Sequence, residues 1–300
     1  IRAIAGNKSL EYNTTTKEIS YVEPSGFPNA YCISDYIRWN GTKWATGGNQ
    51  VMLGCNAGKS SAASSTKNLV AIGTEACMSG SGVNIVAIGN KAGAGAPGAT
   101  SINIGYLTGN SSAGQQSINL GWEAGRNRCG TNSVNIGSKA GLTGCGASSI
   151  NIGYFAGNSG SGQKSINIGE GSGRYGSQSE TVNIGYNAGA NRVSGSNYSV
   201  NIGTDAGRLS RGNGAVNIGK DAGRESTIWS VNIGLDAGKA SGTGSICIGY
   251  KANRNTGGKG NKYNIVIGYE AGERGAGENS ICLGYRSGQS AQGNNCVAIG

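Results

Sequence analysis

From residue 51 onward the chain alternates apolar and polar positions in one short unit, clearest at Ser101-Ile102-Asn103-Ile104-Gly105-Tyr106 and Ser133-Val134-Asn135-Ile136-Gly137. Its closing glycine returns from Gly54 to Gly300 in steps of 19, seven of 16, then 18, 16, 15, 15, 19, 16 and 16. A period of that size, held so long, marks a stacked repeat architecture. The apolar-x-apolar triplet, as in Ile118 and Leu120 or Val134 and Ile136, predicts one short strand per repeat. Alternation puts both aliphatic residues on one face, assigned here to the interior, and the middle residue on the other. Four positions after the first glycine comes a second, as at Gly109, Gly125 and Gly141, usually preceded by alanine, as at Ala124 and Ala140. The glycines suit tight corners, and the alanine suits an inward position where the coil is narrow. The fold expected is all-β: a parallel β-solenoid, or β-roll, of about 16 coils, each with two short strands and two turns. At about 4.8 Å per coil it makes a rod on the order of 75 Å long.

Residues 1–50 do not repeat and form a separate small β-hairpin module, followed by the solenoid over residues 51–300. Ser9–Tyr12 and Glu18–Tyr21 alternate as strands around Asn13-Thr14-Thr15-Thr16-Lys17. A second hairpin is predicted where Tyr36–Trp39 and Lys43–Thr46 flank the turn dipeptide Asn40-Gly41.

The composition agrees with a narrow coil. Glycine supplies 57 of 300 residues and phenylalanine two, so a core of large side chains cannot be assembled. Glycine lacks a three-residue period and proline numbers three, which excludes collagen. No apolar run is long enough to span a membrane as a helix, so membrane insertion is not expected. Starting at Ile1 and ending on a turn glycine, the chain reads as a piece of a longer protein whose targeting signal lies outside it. The formal charge of +10 permits anionic partners, but it is spread over the repeats as a solvated face and not gathered in a run, so a nucleic-acid partner is not expected.

The middle strand residue is asparagine in nine consecutive repeats: Asn103, Asn119, Asn135, Asn151, Asn167, Asn183, Asn201, Asn217 and Asn232. Stacking would make these a ladder of amides bonded coil to coil or a subunit interface. A row of ligand-binding amides is the alternative. Among eight cysteines, Cys129 and Cys145 each lie eight residues after a turn glycine in adjacent repeats, hence about 4.8 Å apart in a stack. A disulfide tolerates that spacing, and a pair of buried free thiols fits it equally well.

Histidine is absent, which removes Ser-His-Asp and Cys-His catalysis and makes a zinc site unexpected. Neither a cofactor nor a metal is called for. Acids two residues after the turn glycine, Glu123, Asp205, Asp221 and Asp236, precede Arg126, Arg208, Arg224 and Lys239 by three. Stacking converts these into surface charge rows. Asp205 and Asp221 on adjacent coils could also form a glycosidase-like carboxylate pair, a weaker alternative.

The repeats closely resemble the Ser-Val-Ala-Ile-Gly head repeats of YadA-like trimeric autotransporter adhesins, most nearly at Leu69-Val70-Ala71-Ile72-Gly73, Ile85–Gly89 and Cys296–Gly300. The chain departs from that pattern in its 16-residue repeat and in carrying Asn where the family usually has Ala. The resemblance implies a left-handed parallel β-roll, commonly trimeric, in an attachment protein. Similar repeats occur in fibres and spikes of phages and large DNA viruses, and Ser9–Tyr21 and Arg38–Trp44 resemble hairpin modules of viral fibres. The expectation is therefore a homotrimeric, non-enzymatic fibre or spike segment on the virion surface, joined to other virion or surface proteins through segments beyond its ends. It would bind host cell-surface polysaccharide multivalently, with Arg126, Arg174, Arg208, Arg224, Tyr106, Tyr154 and Tyr186 as receptor-binding candidates. A bacterial surface adhesin head and a tailspike-like polysaccharide-degrading enzyme are the alternatives.

Overall fold

The computed structural model describes residues 9–12, 15, 19–22, 37–39, 44–46, 48–61, 68–80, 82–176, 179–191, 197–254, 262–290 and 292–300. Two antiparallel pairs come first: β1 (Ser9–Tyr12) with β2 (Ile19–Val22), and β3 (Ile37–Trp39) with β4 (Trp44–Thr46). The expected strand positions Glu18, Tyr36 and Lys43 and the turn Asn40-Gly41 lie outside the described residues. From β5 (Gln50–Leu53) to β20 (Val297–Ile299) the chain builds one 16-stranded parallel sheet whose order follows the sequence. Every strand is in phase with its neighbours. In β10 (Val134–Ile136), Asn135 stands opposite Asn119 on one side and Asn151 on the other.

The second strand expected in each coil is reduced, among the described residues, to single bridges linking Gly95, Ser111, Asn127, Thr143 and Ser159. The next residue in each of the last four coils, Ser112, Arg128, Gly144 and Gly160, has a φ between 54° and 76°. A left-handed residue turns the chain out of the extended conformation, so pairing stops after one position.

The facing of the strands is the reverse of the one expected. Asn135 is fully buried, while Val134 and Ile136 on either side are half-buried. In β9 (Ile118–Leu120) the two aliphatic residues are 38% and 39% exposed around a buried Asn119. Inside the coil stand only compact groups: Ser133, Asn135, Ala140 and Cys145 are all buried. The cause is the width of the bore. A Cβ added to Gly125 (φ +57°) would meet Asn119 Oδ1 at 1.8 Å, and one added to Gly105 (φ +129°) would meet the Gly121 carbonyl at 2.1 Å. In the asparagine-bearing coils the amide leaves no room beside it for a methyl group, and the branched aliphatics of the strand point outward.

What fills the bore is a hydrogen-bonded column. Asn119 Nδ2 donates to Asn103 Oδ1 at 2.9 Å, Asn151 to Asn135 at 2.9 Å, Asn201 to Asn183 at 2.7 Å and Asn232 to Asn217 at 2.8 Å, with the intervening steps alike. The column is closed at both ends, since Asn103 donates to Ser101 Oγ at 3.2 Å and Asn232 Oδ1 accepts from Ser241 Oγ at 3.2 Å. A buried amide with both functions satisfied stabilises modestly, whereas one left unmade costs the full desolvation of that group. Inside the coil the amides present no surface to a ligand or to another subunit.

Beyond the asparagines the same row becomes apolar. Ala87 pairs with Asn103 at one end and Cys247 with Asn232 at the other. There Met52, Leu69, Ala71 and Ile85 gather into one dry cluster, and Cys247, Val266 and Cys282 into another. Burial pushes the Cys247 thiol from 9.0 up to about 12, against the lowering effect of a hydrogen bond from Asn253.

Two outcomes follow from this interior. Asn151→Ala orphans the Asn135 carbonyl oxygen and the Asn167 amide, and should cost roughly 1–3 kcal/mol per orphaned group in urea unfolding; a loss under about 0.5 kcal/mol would mean the column is not a support. For Cys247 the folded thiol holds its proton to higher pH than the unfolded chain does. The stability it contributes is therefore complete below about pH 9 and drains away toward about 12. Cys247→Ala should flatten the alkaline decline in melting temperature across that window, and an unchanged slope would contradict the assignment.

Candidate functional site

Two surfaces emerge from these coils. The first is the outer face of the sheet, where the aliphatic pairs of successive strands lie side by side, among them Ile102, Ile118, Ile202, Ile246 and Ile265, all at least 36% exposed. In-phase pairing keeps them in two unbroken rows. A strip about 75 Å long and about 10 Å wide, on the order of 700 Å², exceeds the largest apolar patch of an ordinary monomer.

The second surface is the corner after each strand. The residue one past the turn glycine projects outward, so Tyr106, Tyr154 and Tyr186 are each about half exposed. The residue two past it is left-handed, as at Glu123, Asp205 and Asp221, with φ from 54° to 56°. That bend brings it beneath the residue five past the glycine. Arg126 contacts Glu123 at hydrogen-bond distance, Arg208 lies 3.3 Å from Asp205 and Arg224 3.7 Å from Asp221. Asp236 departs from the expected scheme, pairing with Arg254 of the next coil at 3.8 Å, with no bridge to Lys239 among the described residues. Further along, Tyr250, Tyr269 and Tyr285 stack with centroids 4.9 and 5.4 Å apart. Tyr250 raises the pKa of Lys251 through a side-chain hydrogen bond, and Glu270 does the same for Arg286.

The corner row is interrupted once in a way that opens a recess. Gly171 occupies the left-handed position where neighbouring coils carry Phe155 and Asn187, and Ala190 stands between Arg174 and Arg208 in their row. The missing side chains leave a surface recess of about 350 Å³. Tyr154, Phe155, Arg174, Tyr175, Tyr186 and Arg208 frame it, with Glu170, Asn187 and Asn191 also on its wall. The Arg174 guanidinium sits 4.6 Å from the Phe155 ring and 4.5 Å from the Tyr175 ring, and donates to Tyr175 Oη at 2.6 Å. Lys139 lies 5.2 Å from the other aromatic neighbour, Phe155, and 4.7 Å from Trp122, continuing an alternation of cations and rings across the coils.

Of the seven receptor-binding candidates, Arg174, Arg208, Tyr154 and Tyr186 meet at this recess, while Arg126, Arg224 and Tyr106 do not line it. Phe155, Tyr175 and Gly171 went unrecognised from sequence. Their signal was a gap, the one glycine in a row that otherwise carries side chains, with Ala190 beside it. Asp205 and Asp221 are each held by an arginine of their own coil.

Cys129 and Cys145 are joined in a disulfide across adjacent coils, with Cα atoms 4.7 Å apart. Among the described residues, Cys55, Cys247, Cys282 and Cys296 are free thiols. A scan against protein-family models finds no match, and neither do searches of curated proteins and of solved structures.

Alkylation of the denatured, unreduced protein should label thiols such as Cys55, Cys247, Cys282 and Cys296 and leave Cys129 and Cys145 unmodified. Prior reduction should expose both and lower stability by about 3 kcal/mol, as expected for opening a loop of this length. Labelling of either cysteine without reductant would refute the bridge.

Proposed function

We propose that the protein is a structural attachment rod: a fibre or spike segment on a virion surface, self-associated as a homotrimer, that displays its corner rows for multivalent contact with host surface glycan. The observation that carries this reading is the outward aliphatic strip. About 700 Å² per chain approaches the roughly 800 Å² that each partner contributes to a stable interface. Water-exposed rows of isoleucine and valine are costly unless a second surface covers them. A copy of the same chain offers a strip of equal length and period, and cyclic closure satisfies all copies alike.

The remaining support comes from the flank. Exposed tyrosines recur at whole multiples of the coil pitch, as at Tyr106, Tyr154 and Tyr186, so a chain-like ligand can meet several at once and gain avidity from weak single contacts. The likeness of Leu69–Gly73 and Ile85–Gly89 to the YadA-like head repeat, and of the N-terminal segments to viral fibre hairpins, supports an attachment role. A bacterial adhesin head is the second reading. It is favoured by the buried Ala71 and Ala87, which place alanine inside the coil in the repeats most like that family. A catalytic role has less support, because Asp205 and Asp221 are both engaged in ion pairs.

Light scattering tests the assembly. A particle of three times the 30.1 kDa chain mass is expected. Val134→Asp combined with Ile150→Asp should break it into shorter-lived or monomeric species while far-UV circular dichroism stays unchanged. A wild-type protein that remains at 30.1 kDa across micromolar concentrations would overturn the proposal.

A further inference from the structure

Five arginines share the position five residues past a turn glycine: Arg126, Arg174, Arg208, Arg224 and Arg254. Four have a carboxylate within ion-pair distance, from Glu123, Asp205, Asp221 and Asp236. Arg174 has none among the described residues. The reason is local, since the corner residue that supplies the acid in the coils of Arg126, Arg208 and Arg224 is Gly171 in this one. The same substitution that removes the counter-ion also opens the recess in front of the guanidinium.

We infer that this recess is a binding subsite for a carboxylated sugar, with the ligand's carboxylate taking the place of the missing corner acid beside Arg174. The inference rests on the glycan-attachment reading and gives it a ligand class. A guanidinium is a planar fork that matches a carboxylate, and Phe155 and Tyr175 on either side hold this one in place before any ligand arrives. Binding therefore loses little side-chain entropy. A recess of about 350 Å³ lies near the lower bound of small-ligand sites, suited to one sugar ring and not to an extended chain. Half-exposed Tyr154 and Tyr186 flank it and can cover the apolar C–H face of a pyranose. Asn187 and Glu170 supply an amide and a carboxylate for its hydroxyls. Arg208, already paired with Asp205, adds positive potential without competing for the acid.

Methyl β-glucuronide and methyl β-glucoside share a ring and differ in the carboxylate, so titrating each by isothermal calorimetry or ligand-observed NMR isolates it. The full chain should bind the glucuronide at least tenfold more tightly. Gly171→Asp restores the corner acid in a backbone conformation that Asp205 already adopts (φ 54°), and Arg174→Gln removes the guanidinium. Both should abolish the tenfold preference while far-UV circular dichroism stays unchanged, Asn187 shifting to admit the new Cβ at position 171, whereas Arg224→Gln should leave the preference intact. Equal affinity for the two sugars, no binding of either, or a preference that survives Arg174→Gln would overturn the subsite. Retention of the wild-type protein on host cells is measured separately, so the attachment reading can survive the loss of this subsite.

Discussion

The bore of the coil admits one amide per turn, and most of the structure follows from that limit. An asparagine side chain spans the space between its own strand and the glycine six residues later, as Asn119 does against Gly125. Passing each hydrogen bond to the next coil then leaves no group in the column unmatched. Beside that amide there is no room for valine or isoleucine, so in the asparagine-bearing coils these lie on the outer face, and a protein with little conventional core acquires a long apolar exterior. The hydrogen-bonded interior and the apolar exterior are two results of one steric restriction.

The period, the parallel stacking and the corner glycines were legible in the sequence because each repeats often enough to exclude other folds. The direction of the strands was not. Alternation of period two separates two faces without saying which is inside, and a general preference for buried aliphatics chose the wrong one. The information was nonetheless present: Ser133 shares the parity of Asn135, and Ala140 lies across the coil from it. In the asparagine-bearing coils the inner side holds compact residues such as Ser133, Ala140 and Cys145 around the amide. Volume, not hydropathy, separates the faces in a coil this narrow.

The recess was harder to see for a different reason. Sequence reading singles out side chains that are present, and it found Arg174, Tyr154 and Tyr186 in that way. What joins them is an absence, Gly171 in a row otherwise filled, with Ala190 next to it. In a repeat protein each coil serves as the control for its neighbours, so a departure from the row carries meaning that the same residue would lack in an ordinary fold. The corner ion pairs at Arg126, Arg208 and Arg224 are what identify Arg174 as uncompensated.

From Asn103 to Asn232 the interior of the coil is filled by asparagine amides and not by the aliphatic side chains of the strands. Hydrogen exchange of the side-chain amides, followed by NMR on protein labelled with ¹⁵N at asparagine, tests it most directly. The Nδ2 protons of Asn135, Asn151 and Asn167 should persist in deuterated buffer as long as the backbone amides of the sheet. Exchange of these protons as fast as that of a solvent-exposed asparagine would contradict it.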